Sequence, residues 1–568
     1  MDRILRIDMT DRSWRAEPLP DAYCYLGGRS LTSRMVIDEV DPLCDPLGPN
    51  NKLILAPGLL SGTVLSSSSR VSAGAKSPLT GGIKESNAGG QTGMRMAQLG
   101  YRAVVLEGMP EAGAGWFTIV VDDQGARFES ADDLTGLGTY EAAGRLFEQY
   151  GKKAALQLIG PTGERLMNLA GICNTDPEGR PSRLNARGGL GAVMGSKRVK
   201  AIVYLDCGYK PVKADDDALW KAAAKAYTTE LRTQPATKER YPQFGTAGTL
   251  EFVNKVGGLP IRNFSRGQDP ETDRISGIQM REVILERGGQ TTHSCMTGCA
   301  IQCSNVFVDE QGKEMASSME FETNGLLGSN LEIFDFDWIA RFTHQCNDLG
   351  VDTIETGGVM GVAAEGGLIP FGDPEAVMQA FGEIRRGTPA GRLLGLGAGL
   401  CGKALGVRRV PVVKNQTISA YDPRAVKGNG VTYCTTAMGA DHTAGNTIGA
   451  RTDHLNPSDK VAISRELQIH CLLLDAFGFC SFARGIMATT PDTFTELAAA
   501  RFGRPFTTAE LRAHAVEMLR AEVAWNRRAG LGKETDRLPE WMRLEPLPPH
   551  NALFDVSEDE IDAIWENV

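Results

Sequence analysis

The sequence has no uninterrupted run of eighteen apolar residues, no apolar core of signal-peptide length near Met1, and no surplus of basic residues. The first two absences predict that the chain neither spans a membrane nor enters a secretory pathway. A net charge of −10 and a pI near 5.4 argue against a nucleic-acid surface, which needs a basic face. We therefore expect a cytoplasmic protein with no membrane span and no nucleic-acid partner.

The chain is long and rich in glycine and cysteine. Its 568 residues correspond to two to four domains with ample core. The 66 glycines predict many tight turns and close backbone approaches to something bound. Twelve cysteines without a secretory signal predict a reducing compartment, where thiols stay available for metals.

Three cysteines lie within nine residues in SCMTGCAIQCSN, at Cys295, Cys299 and Cys303, and Cys480 at the end of DAFGFC is a candidate fourth. Disulfides fit poorly in a chain without a secretory signal. Structural zinc usually uses two short pairs, and no second pair is present. A three-plus-one set is a usual layout for a [4Fe–4S] cluster, which we predict here. Zinc and scattered buried thiols remain alternatives.

The periodicity of apolar residues changes near Asp206, from strand-like before it to helix-like after it. Before it, short apolar runs closed by turn residues predict strands, interrupted by one clear helix with Thr139 as its N-cap and Gly151 as its stop. After it, helical patterns dominate. The prediction is an α+β protein, with a sheet-rich domain at 1–207 followed by mainly helical domains at 208–410 and 411–568. A Gly/Pro-rich stretch near 387–412 suggests the second boundary.

Three glycine-rich passages lie in the first region, at 26–34, 86–93 and 186–197. The last is not a dinucleotide fingerprint, because its third glycine comes one position too late, and it is not a Walker loop. Tight turns explain each passage taken alone. Together with Arg70, Arg183 and Arg187, they are suited to offer N–H groups and guanidinium groups to phosphate.

Several carboxylates recur near the cysteines, and a single one is most often a helix cap or a solvated charge. His442 lies in a Gly/Thr-rich loop, a better place for a working imidazole than an apolar helix face. His293, beside the cysteine run, is interpreted as a supporting or plain surface residue.

The whole chain resembles the tungsten-containing aldehyde ferredoxin oxidoreductases. The resemblance rests on co-linear motifs: GGRSLTSR, RVSAGAKSPLTGGIKESNAGG, ARGGLGAVMGSKRVKAI, the cysteine run, MEFETNGLLGSN, CNDLGVDTIETGG, GADHTAG and DAFGFC. It implies a sheet-rich base with two mainly helical domains above it and the cofactor at their junction. The implied cofactors are tungsten, or molybdenum, on two pyranopterins, a nearby [4Fe–4S] cluster, and Mg²⁺ bridging the pterin phosphates.

The resemblance also implies roles for individual residues. Positions matching pterin and phosphate contacts are Arg70, Asn87, Gly89, Arg187 and Gly188. NDLGVD matches a DxxGxD pterin motif and DAFGFC matches DxxGLC, which assigns Asn347, Asp352 and Asp475 to the pterins and Cys480 to the cluster with Cys295, Cys299 and Cys303. Glu322 and His442 match the carboxylate and imidazole beside the metal.

The sequence departs from the family pattern at three places. The first cysteine gap is three residues instead of two, Asn347 replaces an aspartate, and no ExxH pair follows Glu322. The resemblance therefore does not extend to the family's iron site between subunits. These departures predict a divergent, bacterial branch.

The predicted activity is oxidation of an aldehyde with water to a carboxylic acid, with electrons passing through the cluster to a ferredoxin or a ferredoxin-like subunit. Glu322 is the expected general base, and His442 is expected to donate a hydrogen bond to the substrate oxygen or a metal oxo group. The alternatives are the active-site subunit of a tungsten benzoyl-CoA reductase and a non-catalytic iron–sulfur carrier. We expect a homo- or hetero-oligomer.

Overall fold

Two six-stranded sheets dominate the first third of the chain in the computed structural model, which describes residues 2–208 and 210–566. In spatial order, the first sheet contains Ser13–Pro18, Arg3–Asp8, Tyr101–Glu107, Leu53–Pro57, Val71–Lys76 and Ile83–Ala88. The second contains Arg183–Asn185, Ile172–Asn174, Ala155–Leu158, Val199–Tyr204, Phe117–Val121 and Ala126–Ser130. Apolar side chains of both sheets join one core.

Most strand pairs in these sheets are antiparallel. The exceptions are Arg3–Asp8 with Tyr101–Glu107, and Val199–Tyr204 with Phe117–Val121, which are parallel. Phe117–Val121 and Ala126–Ser130 form a hairpin whose DDQG turn is closed by Asp122 N, which donates to Gly125 O at 3.1 Å. A sheet-rich first domain is therefore confirmed.

The described part of the N-terminal domain contains five α-helices, whereas the sequence clearly predicted only one. The helices are Gly28–Glu39, Thr92–Gln98, Thr139–Tyr150, Pro161–Glu164 and Leu190–Ser196. Each glycine-rich passage leads into or forms part of one of them, so these passages are not simply turns. The predicted N-cap at Thr139 is wrong: Gly138 occupies the cap, and the Thr139 hydroxyl donates to Asn347 O at 2.8 Å. Gly151 ends the helix at φ 85°, as predicted.

The rest of the chain is mainly helical, which confirms the second part of the fold prediction. Its helices are Asp217–Thr233, Tyr241–Phe244, Leu250–Lys255, Gly277–Glu286, Phe321–Thr323, Phe336–Leu349, Thr353–Glu365, Pro374–Arg386, Pro389–Gly395, Ala398–Leu405, Lys427–Thr435, Lys460–Phe477, Arg484–Thr489, Asp492–Phe502, Thr508–Arg528, Trp541–Leu544 and Glu558–Asp562. Small sheets add Gln290–His293 with Ser304–Val308 and Glu314–Ala316, and Val412–Val413 with Gln416–Thr417.

Local capping explains several helix ends. Thr507 and Ser557 accept hydrogen bonds from Glu510 N and Glu560 N, three residues further on, as the cap residue of a capping box does. Two helices, Pro389–Gly395 and Ala398–Leu405, occupy much of the stretch at 387–412, which is therefore not an open linker. No helix within residues 2–208 and 210–566 has both the length and the apolar character that a membrane crossing requires.

Candidate active site and cluster site

Four cysteines from two distant parts of the chain converge. Cys299 and Cys480 belong to one buried apolar cluster, and Cys295 and Cys303 pack against it. Cys295 and Cys299 are close enough for each thiol to shift the pKa of the other. Burial raises the pKa of Cys303, and nearby negative charge, including that of Cys480 and Cys299, raises it further. All twelve cysteines are free. The structure thus brings together the predicted three-plus-one set as unpaired thiols.

A turn at Gly478 and hydrogen bonds through Ser67 bring Cys480 close to the other three cysteines. Helix Lys460–Phe477 ends at Gly478, whose φ of 86° favours glycine and turns the chain sharply. The Cys480 amide then donates to Ser67 O at 2.9 Å. The Ser67 hydroxyl donates in turn to Cys299 Sγ at 3.4 Å. A segment of the N-terminal domain therefore links the two cysteine-bearing regions.

Arg70 lies between the cysteines and Asp475. Its side chain donates to the Asn87 side-chain oxygen and, at 3.3 Å, to the Asn87 carbonyl. Burial lowers the Arg70 pKa, but the negative charges of the cysteines and Asp475 outweigh burial and raise it. Gly89 approaches closely as well, since a Cβ there would lie 3.2 Å from Cys295 Sγ. Three predicted cofactor residues therefore border the thiol cluster.

Asp475 and Glu85 form a pair of carboxyl groups without full hydrogen bonding. Within the described residues, no hydrogen bond reaches the Asp475 carboxyl group, and Glu85 Oε1 is buried without a partner. Burial raises the pKa of Asp475, the Glu85 charge adds to the rise, and Arg29 and Arg70 oppose it. Acceptor oxygens left open in a buried site are suited to N–H donors of a ligand.

Asp352 begins helix Thr353–Glu365 as its N-cap and accepts hydrogen bonds from Ile354 N and Glu355 N. Arg187 donates to Asp352 Oδ2 at 3.2 Å. The DxxGxD-type motif is therefore a helix junction in which one carboxylate caps a helix and holds an arginine.

Arg187 is held from several sides. It donates at 2.5 Å to the carbonyls of Thr417 and Ala440, and it lies 4.0 Å from Asp441 Oδ1. Asn347 is engaged too, since its amide donates to Tyr140 Oη at 3.3 Å and to Ser317 O at 3.4 Å.

Gly188 allows a close approach of backbone and a buried lysine. Its φ is +88°, and a Cβ would lie 2.5 Å from Lys84 Cγ. Lys84 donates to Asp441 Oδ2 at 2.7 Å. This ion pair fixes the residue that precedes His442, and sequence reasoning did not identify Lys84.

Glu322 and His442 meet in space. Glu322 Oε2 accepts a hydrogen bond from Ala420 N at 2.6 Å, and its Oε1 lies 3.3 Å from His442 Nε2. The alignment is not that of a hydrogen bond, so buried Oε1 has no partner. His442 Nδ1 lies 2.8 Å from Ser419 Oγ, which orients the ring.

Burial disfavours charge on both members of this pair. It raises the pKa of Glu322 to about 8, with the Ala420 N–H and Arg187 opposing the rise. It lowers the pKa of His442 to about 4, with Asp441 opposing the fall. Near neutral pH the pair is therefore mainly uncharged, with a proton on the carboxyl group.

Other residues near the cysteines play supporting parts. Arg183 donates to Ser304 Oγ at 2.8 Å and Ser318 Oγ at 3.1 Å, and its charge lowers the pKa of Cys303 against the rise caused by burial. The Arg183 side chain is therefore already hydrogen-bonded to serines beside the thiols.

His293 is buried, with Nε2 3.0 Å from Glu178, so its interpretation as a plain surface residue is wrong.

The donor set fits the cofactors that the family resemblance implies. Four free thiols converge, as a four-iron cluster requires. The backbone at Gly89 closely approaches Cys295, and buried carboxyl oxygens without partners are present at Glu85 and Glu322. These features fit a polar ligand adjacent to a cluster.

Two family models match nearly the whole chain. One is described as aldehyde ferredoxin oxidoreductase, N-terminal domain, and matches residues 4–206; the other, described as domains 2 and 3, matches residues 222–564. The chain belongs to the aldehyde ferredoxin oxidoreductase family. Membership confirms the family resemblance and makes the chain a member of an oxidoreductase family.

Relatives agree with this assignment. The tungsten-containing aldehyde ferredoxin oxidoreductase of Pyrococcus furiosus is 31% identical over 574 residues, covering 96% of this chain and 92% of the relative. That of Thermococcus kodakarensis is 31% identical over 576 residues, with the same coverage. A solved structure, the active site complex BamBC of benzoyl coenzyme A reductase with 1,5-dienoyl-CoA, has a TM-score of 0.80 at 18% identity and covers 99% of this chain and 92% of that one. It supports the fold.

Proposed function

We propose that this protein oxidises an aldehyde with water to a carboxylic acid, releasing two electrons and two protons. The observation that carries the proposal is the Glu322–His442 pair, largely buried and 3.3 Å apart, in a member of an oxidoreductase family. A carboxyl group with a pKa near 8 suits proton exchange near neutral pH. The ionised form of Glu322, a minority near neutral pH at a pKa of about 8, takes a proton from water or from the aldehyde hydrate, and neutral His442 donates a hydrogen bond to the substrate oxygen.

The residues that would hold the cofactors are those predicted from the motifs. The pterins and their phosphates, with Mg²⁺, would be held by Arg70, Asn87, Gly89, Arg187, Gly188, Asn347, Asp352 and Asp475, and the cluster by Cys295, Cys299, Cys303 and Cys480. When bound, tungsten or molybdenum with its pterins accepts two electrons per aldehyde, and the cluster passes them on singly. The chain supplies binding, orientation and proton handling.

The electron acceptor in this proposal is a ferredoxin or a ferredoxin-like subunit of a homo- or hetero-oligomer. Thr297 and Gly298, in the loop between Cys295 and Cys299, are exposed. A cluster in this loop would lie near the surface, where electrons can leave for a partner. Free thiols suit a cytoplasmic location. We also retain the domain division at 207 and 410 as part of the proposal.

Metal analysis of anaerobically purified protein, combined with aldehyde-dependent viologen reduction, tests the proposal. We expect tungsten or molybdenum, pterin and about four irons per chain, with viologen reduction that requires aldehyde. A protein with four irons but neither pterin nor tungsten would support the iron–sulfur carrier instead.

A second candidate is low-potential reduction of an aromatic acyl-CoA by the active-site subunit of a larger complex. It is supported by the likeness to the BamBC complex, which has bound 1,5-dienoyl-CoA. The two candidates separate in one assay, because only this second function predicts consumption of benzoyl-CoA with a low-potential reductant. Metal-loaded protein that oxidises no aldehyde but consumes benzoyl-CoA would favour it.

A further inference from the structure

Ser67 is the one residue among 2–208 and 210–566 whose hydroxyl group donates a hydrogen bond to a predicted cluster thiol. Its Oγ donates to Cys299 Sγ at 3.4 Å. Both side chains are buried, with relative exposures of 1% for Ser67 and 6% for Cys299. Water therefore competes little for either group, and the surroundings of low polarity strengthen the bond between them.

A second serine fixes the direction of the Ser67 hydroxyl group. Ser66 Oγ accepts from Ala300 N at 2.9 Å and lies 3.1 Å from Ser67 Oγ. Because the single hydrogen of the Ser67 hydroxyl group is used on Cys299, Ser66 supplies its own hydrogen to Ser67 Oγ. The result is a chain of donors that runs from the Ala300 amide through two hydroxyl groups to the sulfur. Each bond in such a chain polarises the next and strengthens it.

The backbone at Ser67 is held in a conformation that serine seldom adopts. Its φ is +59°, in the left-handed region. The Ser67 carbonyl accepts from Cys480 N at 2.9 Å, and the hydroxyl group of the next residue, Ser68, donates to Leu65 O at 2.9 Å. A strained residue persists only where its surroundings fix it, and such residues concentrate at functional sites. The Ser67 hydroxyl group is therefore a donor that is already in place before a cluster binds.

The other predicted cluster thiols have no equivalent donor. In the part of the chain that the structure describes, no hydroxyl group donates to the sulfur of Cys295, Cys303 or Cys480. Hydrogen bonds to the ligand sulfurs are one of the factors that set the reduction potential of an iron–sulfur cluster. When such a cluster gains one electron it becomes more negative, and a donor to a sulfur stabilises the more negative form. A hydrogen bond to Cys299 therefore favours reduction.

We propose that Ser67 is a positioning residue that raises the reduction potential of the cluster through its hydrogen bond to Cys299. This inference rests on the cluster in the proposed function and adds a residue that controls the direction of electron flow. With the Ser67 hydrogen bond in place, each single electron released by aldehyde oxidation is accepted at the cysteines more readily. The Ser67 hydroxyl group thus favours oxidation of the aldehyde over the reverse reaction.

An anaerobic redox titration of the cluster-loaded protein, followed by the EPR signal of the reduced cluster, tests the proposal. Ser67→Ala removes the hydroxyl group and should shift the midpoint potential to a more negative value. We expect the equilibrium constant for one-electron reduction to fall about 3- to 10-fold, the range expected for one ordinary hydrogen bond. A tenfold fall corresponds to about 59 mV for one electron. Iron per chain should stay at the parent level.

Ser67→Gly separates the loss of the hydroxyl group from a change in the backbone. Glycine adopts a positive φ without strain, so a shift that the Ala and Gly variants share reports the lost hydroxyl group. A shift in only one of them would indicate a backbone effect and overturn the proposal.

Ser68→Ala is the matched control, because Ser68 is equally buried at 1% exposure in the same loop but donates to Leu65 O instead of a sulfur. It should leave the midpoint potential unchanged. An equal shift in Ser68→Ala and Ser67→Ala would indicate a general effect of the loop and contradict the assignment. Loss of iron from both Ser67 variants would also contradict it, because Ser67 would then hold the cluster loop instead of setting the potential.

The titration uses no aldehyde, so it separates failure of this inference from failure of the proposed function. A midpoint potential that depends on Ser67, in protein that oxidises no aldehyde, would support the Ser67 assignment and contradict aldehyde oxidation. Aldehyde-dependent viologen reduction with one midpoint potential shared by the parent and both Ser67 variants would support the activity and overturn the Ser67 assignment.

Discussion

Glu322 Oε1 and His442 Nε2 lie 3.3 Å apart, although Glu322 lies within the short helix Phe321–Thr323 and His442 begins a 3-10 turn far along the chain. Burial moves their pKa values in opposite directions, to about 8 for Glu322 and about 4 for His442. The result is a compact pair that stays uncharged near neutral pH and has an open acceptor oxygen. Proton transfer at this pair is the property that the variants below examine.

Glu322→Gln should remove the base and keep the fold. The glutamine oxygen still accepts from Ala420 N, so tungsten, pterin and iron should stay at parent levels. Activity per bound tungsten should fall by about 10²–10⁴, the usual contribution of a positioned base. Glu320→Gln is the control, because Glu320 bonds Thr246 instead and should stay within tenfold of the parent. Unchanged activity per tungsten in Glu322→Gln would exclude this role.

His442→Ala should lose a hydrogen-bond donor to the substrate. We expect activity per bound tungsten to fall by about 10²–10³, similar to the loss of one oxyanion donor. Ser419 Oγ loses its 2.8 Å partner, which should cost little because a hydroxyl reorients easily. Metal analysis accompanies the assay: loss of tungsten in proportion to activity would instead indicate that His442 packs the loop.

The pH dependence of stability should reveal the raised pKa of Glu322. Between pH 4.5 and 8 the unfolded carboxyl group ionises while the folded one stays protonated, so stability falls as pH rises and then levels off. The upper limit is about 1.4 kcal/mol per pH unit for a single group. Glu322→Gln lacks this loss, so its stability relative to the parent should increase from pH 6.5 to 8. A constant difference over that range would contradict the raised pKa.

His442 should act in the opposite direction and at lower pH. Its pKa is lowered, so the stability that it contributes is present above pH 6.5 and is lost as pH falls through about 4. The two slopes oppose each other between pH 4.5 and 6.5. Urea unfolding of His442→Ala should therefore differ from the parent in pH dependence mainly below pH 6.5, which checks the assignment independently of Glu322.

Cys480→Ala should lose or degrade the cluster, because four thiolates hold four irons and one ligand is missing. Iron per chain and the cluster absorbance measure the outcome. Cys471→Ala is the matched control, because Cys471 is a buried cysteine on the preceding helix and should leave iron unchanged. Four irons retained in Cys480→Ala and lost in Cys471→Ala would show that the wrong fourth ligand was chosen.

Asp475→Ala should lower bound tungsten and pterin more than folded yield. Hydrogen bonds to a carboxylate contribute about 1.5–3 kcal/mol each, and Asp475 makes none to the described protein residues. Asp373→Ala provides the comparison, since it removes an N-cap bond to Ala376 N and costs about 1 kcal/mol of stability. That control should keep its cofactor. Equal tungsten content in Asp475→Ala and the parent would remove Asp475 from the pterin site.

The sequence was sufficient for the elements that depend on local chemistry. Gly151 ends a helix as predicted, and the short apolar runs closed by turn residues correspond to strands of the first domain. It failed at Thr139, where a tertiary hydrogen bond to Asn347 O replaces the expected cap. Glycine-rich passages were also ambiguous, because a glycine that starts a helix and one that makes a turn look alike without their neighbours.

For the site, too, the sequence identified the residues and the tertiary structure decided how they are arranged. Spacing of cysteines and co-linear motifs pointed to Cys480, Glu322 and His442, because ligand chemistry limits which residue types serve. Their convergence was decided by tertiary structure: the bond from Ser67 to Cys299 and the close approach of Glu322 to His442 join segments far apart in the chain. Burial then sets the direction of each pKa shift, and burial depends on the whole packed molecule.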